Sequence, residues 1–218
     1  MIDLAMEPCN HIIWDWNGTL LNDVQACADA INVLLARRDL PSITLAQYLE
    51  VFDFPVRNYY LRLGFDFSID RWEDVAIEYH EAYARLSKDA PLREGAQAAL
   101  ATLKKRGIGV SVLSACEIGL LKSMMKERDI LDCFEHIYGL SDLYAHSKLE
   151  LGHELLKSTG LSRANTIIVG DTAHDHEVAR GMGIPCILML GGHQSATKLS
   201  PLGCPLVSSF TDVLDLIR

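Results

Sequence analysis

The sequence has no long apolar run and no surplus of positive charge. None of its apolar stretches approaches the roughly 20 residues that span a bilayer, and its first residues lack the basic start and apolar stretch of a secretory signal. We therefore expect no membrane partner. The formal net charge is -9, from 20 basic and 29 acidic residues. Because nucleic acids bind clustered positive charge, we expect no nucleic-acid partner either.

Paired cysteine motifs are also missing. The six cysteines, at positions 9, 27, 116, 133, 186 and 204, form no Cys-x-x-Cys pair, and several lie in apolar runs. In a chain of 218 residues, this usage predicts reduced and mostly buried thiols. We therefore expect a cytoplasmic protein. The length suits one domain, or one domain with a modest insertion.

Short apolar runs alternate with helical patterns along most of the chain. Most of these runs lack polar alternation, which is typical of strands covered on both faces of a parallel sheet. Strands that alternate with helices predict an α/β protein with a doubly wound, mostly parallel, Rossmann-like sheet. The predicted strands are His11–Asp15, Ile108–Ser114, His136–Leu140, Thr166–Asp171, Pro185–Leu190 and Pro205–Ser208.

One segment, residues 22–88, breaks the alternation. It contains amphipathic helical patterns and no convincing strand. We therefore predict two domains: an α/β core formed by residues 1–21 and 89–218, and a small helical domain formed by residues 22–88. The two connections would pass near Leu21–Asp23 and Lys88–Leu92, where Pro91 interrupts the helical pattern.

Polar residues stand at the ends of several predicted strands. Asp15 ends the first, Ser114 the second and Asp171 the fourth, while Asp175 follows four residues later and Lys148 opens the helix before the fourth strand. Ligands of an open parallel sheet bind beyond the carboxyl ends of its strands. The sequence therefore predicts that these five residues lie together.

These residue types suit a phosphate ester held beside a metal ion. Asp15 and Asp171 could share a hard cation with oxygen ligands, as Mg²⁺ prefers, and without one the two carboxylates would repel. Lys148 and the Ser114 hydroxyl could hold a phosphate together with backbone N–H groups. An aspartate could then attack phosphorus and form an aspartyl-phosphate.

The joint pattern resembles the haloacid dehalogenase-like superfamily, and within it the phosphoglycolate-phosphatase-like branch, in which a helical cap follows the first strand. The resemblance covers nearly the whole chain. "DWNGTLL" resembles the family's first motif, "VLSA" the second, Lys148 the third and "VGDTAHD" the fourth. It implies that residues 22–88 form a mobile cap that supplies substrate specificity.

The resemblance also implies roles for individual residues. Asp15 would be the nucleophile and a magnesium ligand, and residue 17 would offer its backbone carbonyl to the metal. Asp171 would be a further ligand, with Asp175 a direct or water-mediated one. The implied catalytic set is Asp15, Asn17, Ser114 and Lys148, and the implied phosphate-binding set is Trp16, Asn17, Ser114, Ala115 and Lys148.

Asn17 departs from the family's pattern. Phosphatases of the family commonly carry a second Asp there, which protonates the leaving oxygen and then activates water. An amide can hydrogen-bond the same oxygen, but it has no proton to give. We therefore expect an intact metal and phosphate site with a weakened acid–base step. His193, in "GGHQS" after the fifth predicted strand, is the best placed spare acid–base group.

Three more residues are candidates with weaker support. Arg57, in "FDFPVRNYY", could hold a second anionic group of the substrate, although an arginine that is exposed or packed in the cap fits the pattern as well. His174 and His176 flank Asp175. Because Mg²⁺ prefers oxygen, we expect neither histidine to be a ligand.

The sequence thus predicts a Mg²⁺-dependent phosphomonoester hydrolase that acts through an aspartyl-phosphate on a small phosphorylated metabolite, as a monomer or homodimer. The alternative is a weak or inactive member of the family that binds a phosphorylated ligand or a protein partner. Other chemistries of the family fit less well. A mutase depends on the second Asp, a phosphonate hydrolase needs a cap lysine, and a dehalogenase needs no metal.

Overall fold

The computed structural model describes residues 9–141 and 147–217, and its centre is a six-stranded sheet. All the strands run parallel, in the order β3-β2-β1-β4-β5-β6. Each corresponds to a predicted strand within a few residues, and the α/β class is confirmed. The strands are β1 (His11–Trp14), β2 (Gly109–Glu117), β3 (His136–Leu140), β4 (Thr166–Gly170), β5 (Cys186–Met189) and β6 (Leu206–Val207).

The first strand is apolar on both sides because it lies in the middle of the sheet. It pairs with β2 on one side and with β4 on the other, and all four of its residues are buried. Successive side chains of a strand point to opposite faces. Ile12 and Trp14 therefore pack into one apolar core, whereas Ile13 packs into another.

Residues 22–88 contain four helices and no strand: α1 (Val24–Ala36), α2 (Leu45–Val51), α3 (Val56–Arg62) and α4 (Trp72–Leu86). The two longer helices, α1 and α4, pack against each other. The chain leaves and re-enters the sheet domain at adjacent points, since Leu21 forms an antiparallel bridge with Leu92 and Asn22 N donates to Pro91 O over 2.9 Å. That this segment is a separate domain stays a prediction.

Helices on both faces make the sheet doubly wound. Leu155 of α7 (Lys148–Thr159) and Val178 of α8 (Ala173–Met182) share a core with Ile13. Leu103 of α5 (Ala96–Arg106) and Val213 of α10 (Phe210–Leu216) lie in the core on the opposite face. Within the described residues, no helix is long and apolar enough to cross a membrane. The remaining helices are α5 (Ala96–Arg106), α6 (Ile118–Glu127), α7 (Lys148–Thr159), α8 (Ala173–Met182), α9 (Ala196–Leu199) and α10 (Phe210–Leu216).

The strand order reverses at β1. Chain connections run outward from β1 through β2 to β3 on one side and through β4 to β6 on the other. Such a reversal leaves a crevice at the carboxyl ends of the two central strands, and this is where open α/β sheets bind their ligands. The residues that follow β1 and β4 are therefore the first to consider as a functional site.

Candidate active site

Three carboxylates meet at the crevice between β1 and β4. Asp15 directly follows β1, Asp171 directly follows β4, and Asp175 lies in the first turn of α8. One oxygen of each lies within 4.8 Å of the others. Lys148, the first residue of α7, donates from Nζ to Asp15 Oδ1 and, over 2.5 Å, to Asp175 Oδ1. The structure thus brings these four residues together, as the sequence predicts.

Asp175 is held in place by the start of its own helix. Its Oδ2 accepts from the backbone N–H of Asp171 at 3.2 Å, from that of Thr172 at 3.0 Å and from the Thr172 hydroxyl at 2.7 Å. Thr172 and Asp175 form a capping box. Burial by itself would raise the pKa of Asp175, but the Lys148 ammonium and the Thr172 hydrogen bonds lower it. Asp175 is therefore an ionised partner for Lys148.

Asp171 is fixed by two residues from other loops. Thr19 Oγ1 donates to its Oδ1 over 2.9 Å, and the backbone N–H of His193 donates to its Oδ2 over 2.6 Å. The backbone at Gly18 lies close against Asp171 and His193. Gly18 has φ +71°, and a Cβ at this position would overlap both residues. Only glycine fits that position without strain. "NGT" in the first motif therefore shapes the loop around Asp171.

The buried negative charge exceeds the positive charge that faces it. Burial raises the pKa of Asp15, and Asp175 and Asp171 raise it further, against the opposing effect of Lys148. The pKa of Asp171 is raised by burial and by Asp175, against the opposing effect of His193. Three buried carboxylates that face one ammonium, with oxygen donors only, fit a hard divalent cation such as Mg²⁺. The acidic cluster could thus hold a metal ion.

The second motif lies beside the carboxylate cluster, in the wall of a cavity between the cluster and residues 22–88. Ser114 is buried and its Oγ accepts from the backbone N–H of Cys116 over 3.0 Å, while Ala115 is exposed beside it. Both residues line the cavity together with Asp15 and Lys148. Trp16 differs, because its indole is fully buried in the apolar core and does not line the cavity. Any phosphate contact of Trp16 would have to come from its main chain.

The side chain of Asn17 is turned towards Asp23 and Tyr83. Its Nδ2 donates to Asp23 Oδ2 over 2.7 Å and to the Tyr83 hydroxyl over 2.6 Å. Flipping the amide would set its oxygen against a carboxylate, so the hydrogen-bond network fixes this orientation. Both amide N–H groups are therefore engaged, and only Oδ1 is left to face a substrate. In this arrangement the amide has no N–H group free to donate to a leaving oxygen.

Asp23 connects this network to His193. No motif in the sequence marks Asp23 as a site residue. It is fully buried, and its Oδ1 accepts from the backbone N–H of Gly18 over 2.8 Å. The same oxygen lies 3.4 Å from His193 Nε2, an ion-pair distance without hydrogen-bond alignment. Burial by itself lowers the pKa of His193, but Asp23 raises it to about 9. In the sequence, the only signal for a role of Asp23 is its position in the predicted connection near Leu21–Asp23.

Arg93 is a second residue that sequence reasoning missed. Its guanidinium donates to the Gly18 carbonyl over 2.7 Å and to the Leu190 carbonyl over 2.6 Å. It therefore ties the loop after β1 to the loop after β5. No motif marks this arginine, and its role follows only from the three-dimensional arrangement.

A cavity of about 180 Å³ lies between the carboxylate cluster and the helical insertion. On the insertion's side, most of its wall is aromatic. The aromatic residues of the insertion that line it are Tyr48, Phe52, Phe54, Tyr59, Tyr60, Tyr79 and Tyr83.

The loop after β5 joins the insertion to the sheet domain. The Phe52 carbonyl accepts from Lys198 Nζ at 2.7 Å and from Gln194 Nε2 at 3.1 Å. The Tyr48 hydroxyl also forms a 2.9 Å hydrogen bond with His193 Nδ1. Residues 22–88 thus contact this loop beside the carboxylate cluster.

Arg57 and the two histidines that flank Asp175 lie apart from the cluster. Arg57 is exposed, its guanidinium lies 5.1 Å above the Phe67 ring, and it does not line the cavity. The structure therefore does not bring it to the site, because a cation–π contact holds it on the insertion's surface. His174 stacks on Phe54 with ring centroids 4.4 Å apart. Among the described residues, neither His174 nor His176 belongs to a cluster of potential metal ligands.

Fold and site together define a class of protein. A parallel α/β sheet that presents carboxylates and a lysine at its switch point is suited to hydrolysis of a phosphate ester. The sequence model of the haloacid dehalogenase-like hydrolases matches residues 12–189, and the chain belongs to this family. The resemblance stated from the motifs is confirmed.

Two relatives that match most of the chain are phosphatases. The phosphoglycolate phosphatase of Neisseria meningitidis is 27% identical over 207 residues, which cover 91% of this chain and 88% of that protein. The phosphoglycolate phosphatase of Rhodospirillum rubrum is 25% identical over 205 residues, which cover 88% of this chain and 83% of that protein. These relatives support a hydrolase that acts on phosphate esters.

Solved structures show the same fold. A haloacid dehalogenase-like hydrolase from Streptococcus pneumoniae has a TM-score of 0.84 at 20% identity, covering 97% of this chain and 99% of its own. CbbY from Rhodobacter sphaeroides, solved in complex with xylulose-(1,5)bisphosphate, has a TM-score of 0.74 at 18% identity, covering 94% and 96%. The insertion and the sheet domain thus both lie within the shared fold.

Proposed function

We propose that this protein is a Mg²⁺-dependent phosphomonoester hydrolase that acts through an aspartyl-phosphate on a small phosphorylated metabolite. The observation that carries the proposal is the cluster of Asp15, Asp171 and Asp175, with Lys148 between two of its carboxylates, at the switch point of the sheet. Phosphatase relatives that cover most of the chain support it.

Asp15 is the proposed nucleophile. Its carboxylate attacks phosphorus, the ester oxygen leaves with the organic group, and water then hydrolyses the aspartyl-phosphate to free phosphate. Lys148 holds the phosphoryl oxygens and keeps Asp15 oriented, while Ser114 and the backbone around Ala115 donate to the same group. A bound Mg²⁺, held by Asp15, Asp171, Asp175 and the Asn17 carbonyl, would neutralise charge on the transferring phosphoryl group.

Asn17 limits the proton transfers of this reaction. Because both of its amide N–H groups are engaged, its Oδ1 can accept from an attacking water but cannot protonate a leaving oxygen. The leaving group must therefore depart unprotonated or take its proton from another source. We propose that the enzyme prefers phosphates with good leaving groups, such as aryl and acyl phosphates, over simple alkyl phosphates.

We further propose that residues 22–88 form a cap that opens to admit substrate. The chain passes between the two parts only at residues 21–23 and 88–92, which lie side by side and could act as paired hinges. The hydrogen bonds of Tyr48 to His193 and of Tyr83 to Asn17 would then form on closure.

A screen for released phosphate tests the proposal. Wild-type protein is incubated with a panel of aryl, acyl and alkyl phosphomonoesters with and without Mg²⁺, and Asp15→Asn serves as the matched inactive control. Turnover that needs both Mg²⁺ and Asp15 is expected. Turnover that is unchanged without a divalent metal would overturn the proposal.

A second candidate, a non-catalytic member that binds a phosphorylated ligand, is favoured only by the engaged amide of Asn17. It predicts that phosphate compounds stabilise the protein while none in the panel is hydrolysed.

A further inference from the structure

We propose that the organic group of the substrate is uncharged, compact and largely apolar, about the size of a single ring, and that the Tyr59 hydroxyl makes a hydrogen bond to it. This inference rests on the proposed function as a phosphomonoester hydrolase, because it assumes that the phosphoryl group sits at Asp15. It adds the chemical class of the ester.

The size and lining of the cavity support the first part of the inference, that the organic group is compact and largely apolar. Its volume of about 180 Å³ is shared by the phosphoryl group beside Asp15 and the organic group; since an apolar cavity of about 150 Å³ takes up benzene, the space left for the organic group is no larger than a single ring. Aromatic walls favour a flat or apolar group, since rings pack at 4.5–7 Å in stacked or edge-on pairs. Phe52 already makes such contacts with Tyr48 at 5.3 Å and with Tyr59 at 5.4 Å. A ring between these walls would extend an existing aromatic cluster.

Among the described residues that line the cavity, every lysine, arginine or protonated histidine lies against a carboxylate, so none is free to pair with a second anionic group. Among the described residues, the cavity is lined by no arginine and by no lysine except Lys148, which is committed to Asp15 and Asp175. Of the positions outside the described residues, 1–8 and 142–146 contain neither lysine nor arginine, and position 218 is an arginine. A carboxylate or second phosphate on the substrate would therefore lose its hydration without gaining a partner.

The histidines of the wall do not supply this charge. Burial lowers the pKa of His80, which keeps that side chain neutral. The His193 ring faces Asp23 on one side and Tyr48 on the other. His174 stacks on Phe54, and its Nδ1 lies 3.4 Å from Glu177. Each of these rings thus already has partners or is uncharged.

Tyr59 carries the second part of the inference. It is 2% exposed and lines the cavity, and its hydroxyl has no hydrogen-bond partner among the described residues. Burial raises the pKa of Tyr59 well above its ordinary value, so the group remains a neutral hydroxyl. A buried polar group without a partner is rare in folded proteins and calls for a ligand or a water. A single hydroxyl or carbonyl on the substrate's ring would satisfy it.

A matched pair of substrates tests the charge preference. 2-Phosphoglycolate and its amide have nearly the same size and differ in one negative charge, and benzyl phosphate adds the ring. We expect kcat/KM for the amide to exceed that for phosphoglycolate by about tenfold or more, with benzyl phosphate higher still. Equal values, or a preference for phosphoglycolate, would overturn the inference while leaving the proposed hydrolase intact.

Two variants distinguish a substrate contact inside the cavity from one on the surface of residues 22–88. Tyr59→Phe should lower kcat/KM for 4-hydroxybenzyl phosphate by about threefold to tenfold, the range of one neutral hydrogen bond, and leave benzyl phosphate within twofold. Equal losses on both substrates would count against the hydrogen bond. Arg57→Ala should leave the ratio of amide to phosphoglycolate unchanged. A loss confined to phosphoglycolate would mean that Arg57 reaches the substrate's charge.

Binding decides the inference even if no ester is hydrolysed. With Mg²⁺ present, thermal stabilisation by benzylphosphonate is compared with that by phosphonoacetate at equal concentration, using wild-type protein and Asp15→Asn. Greater stabilisation by benzylphosphonate supports the inference, and equal or greater stabilisation by phosphonoacetate overturns it. Absence of all turnover, with Mg²⁺ present, would count against the proposed function alone.

Discussion

The side-chain amide of Asn17 donates to the carboxylate of Asp23 over 2.7 Å, beside the bridge between Leu21 and Leu92 where the chain passes between the sheet and residues 22–88. The position where the family resemblance implies an aspartate thus holds an amide, and a buried carboxylate stands directly beside it. The amide is the complementary partner for that carboxylate, whereas a second carboxylate would repel it. The identity of residue 17 is therefore coupled to that of residue 23.

The first prediction concerns an exchange of these two residues. Asn17→Asp alone should be destabilised by about 2–4 kcal/mol, because it sets two buried carboxylates at hydrogen-bonding distance. Asn17→Asp together with Asp23→Asn should recover most of that loss. The exchanged protein should also gain up to about 10² to 10⁴ in alkyl-phosphate turnover and much less in aryl-phosphate turnover, because an acid–base group matters most for a poor leaving group.

Urea denaturation of the single and double variants measures the coupling between the two positions. Asp23→Asn alone is the matched control. If Asn17→Asp alone were as stable as the wild type and equally active on alkyl esters as the double variant, the two positions would be independent and this explanation of Asn17 would be wrong.

The second prediction concerns Tyr83, which reaches from α4 to the loop after β1. Tyr83→Phe removes the 2.8 Å hydrogen bond that the hydroxyl donates to Asp23 and the one that it accepts from Asn17. We expect a loss of about 1–2 kcal/mol in the free energy of unfolding and a lower kcat/KM, because the Asn17 amide is less firmly held.

The control is Tyr138→Phe, which removes an exposed hydroxyl that pairs with Ser158 far from the cavity. It should leave turnover unchanged. Similar kinetics for the two variants would show that the link between Tyr83 and Asn17 has no part in catalysis.

The third prediction concerns the charge balance around Lys148. Lys148→Met leaves Asp15 and Asp175 buried without their cation, and breaking such a buried pair typically destabilises a protein by about 3–5 kcal/mol. Without metal, the loss should be larger at pH 9 than at pH 5, because Lys148 lowers the pKa of both Asp15 and Asp175 and its effect disappears where the carboxylates are protonated. Unfolding of wild type and variant at both pH values measures this. A loss independent of pH would mean that Lys148 stabilises the protein by packing alone.

The fourth prediction concerns the pH dependence of stability. Asp23 raises the pKa of His193 from 6.5 to about 9 in the folded protein. A group with a raised folded pKa contributes stability that is complete below the unfolded pKa and is lost as the pH rises. The metal-free protein should therefore lose about 3 kcal/mol between pH 6.5 and 9 through this group. Asp23→Asn should flatten this part of the profile, and an unchanged slope would contradict the assignment.

Most of the sheet could be predicted from the sequence because burial on both faces leaves a strong signal. "HIIWD" and "TIIVGD" each have three apolar residues in a row without polar alternation, and the structure shows β1 and β4 buried between two cores. The carboxylate cluster was predictable for a related reason, since parallel strands place their ends at one edge. β2 was less predictable, because its hydrogen bonding to β3 continues irregularly to Glu117, three residues past the predicted end.

The remaining features depend on how distant segments meet. The helical periodicity predicts that Tyr79 and Tyr83 lie on a buried stripe, but it does not distinguish the helix core from the wall of a cavity, and both line the cavity. Asp23 lies six residues from Asn17, and only the folded hinge brings their side chains together. Arg57 shows the converse, because the aromatic neighbour that holds it is Phe67, ten residues away.

The most direct test of the proposed function is to trap the aspartyl-phosphate. Wild-type protein and Asp15→Asn are mixed with a fast aryl phosphate and Mg²⁺, quenched during turnover, reduced with borohydride and digested, and the peptide that contains residue 15 is examined by mass spectrometry. An acyl phosphate at Asp15 would be reduced to homoserine, and we expect this product in the wild type only, with Mg²⁺ present. Sustained phosphate release with unmodified Asp15, or turnover by Asp15→Asn equal to the wild type, would contradict the account.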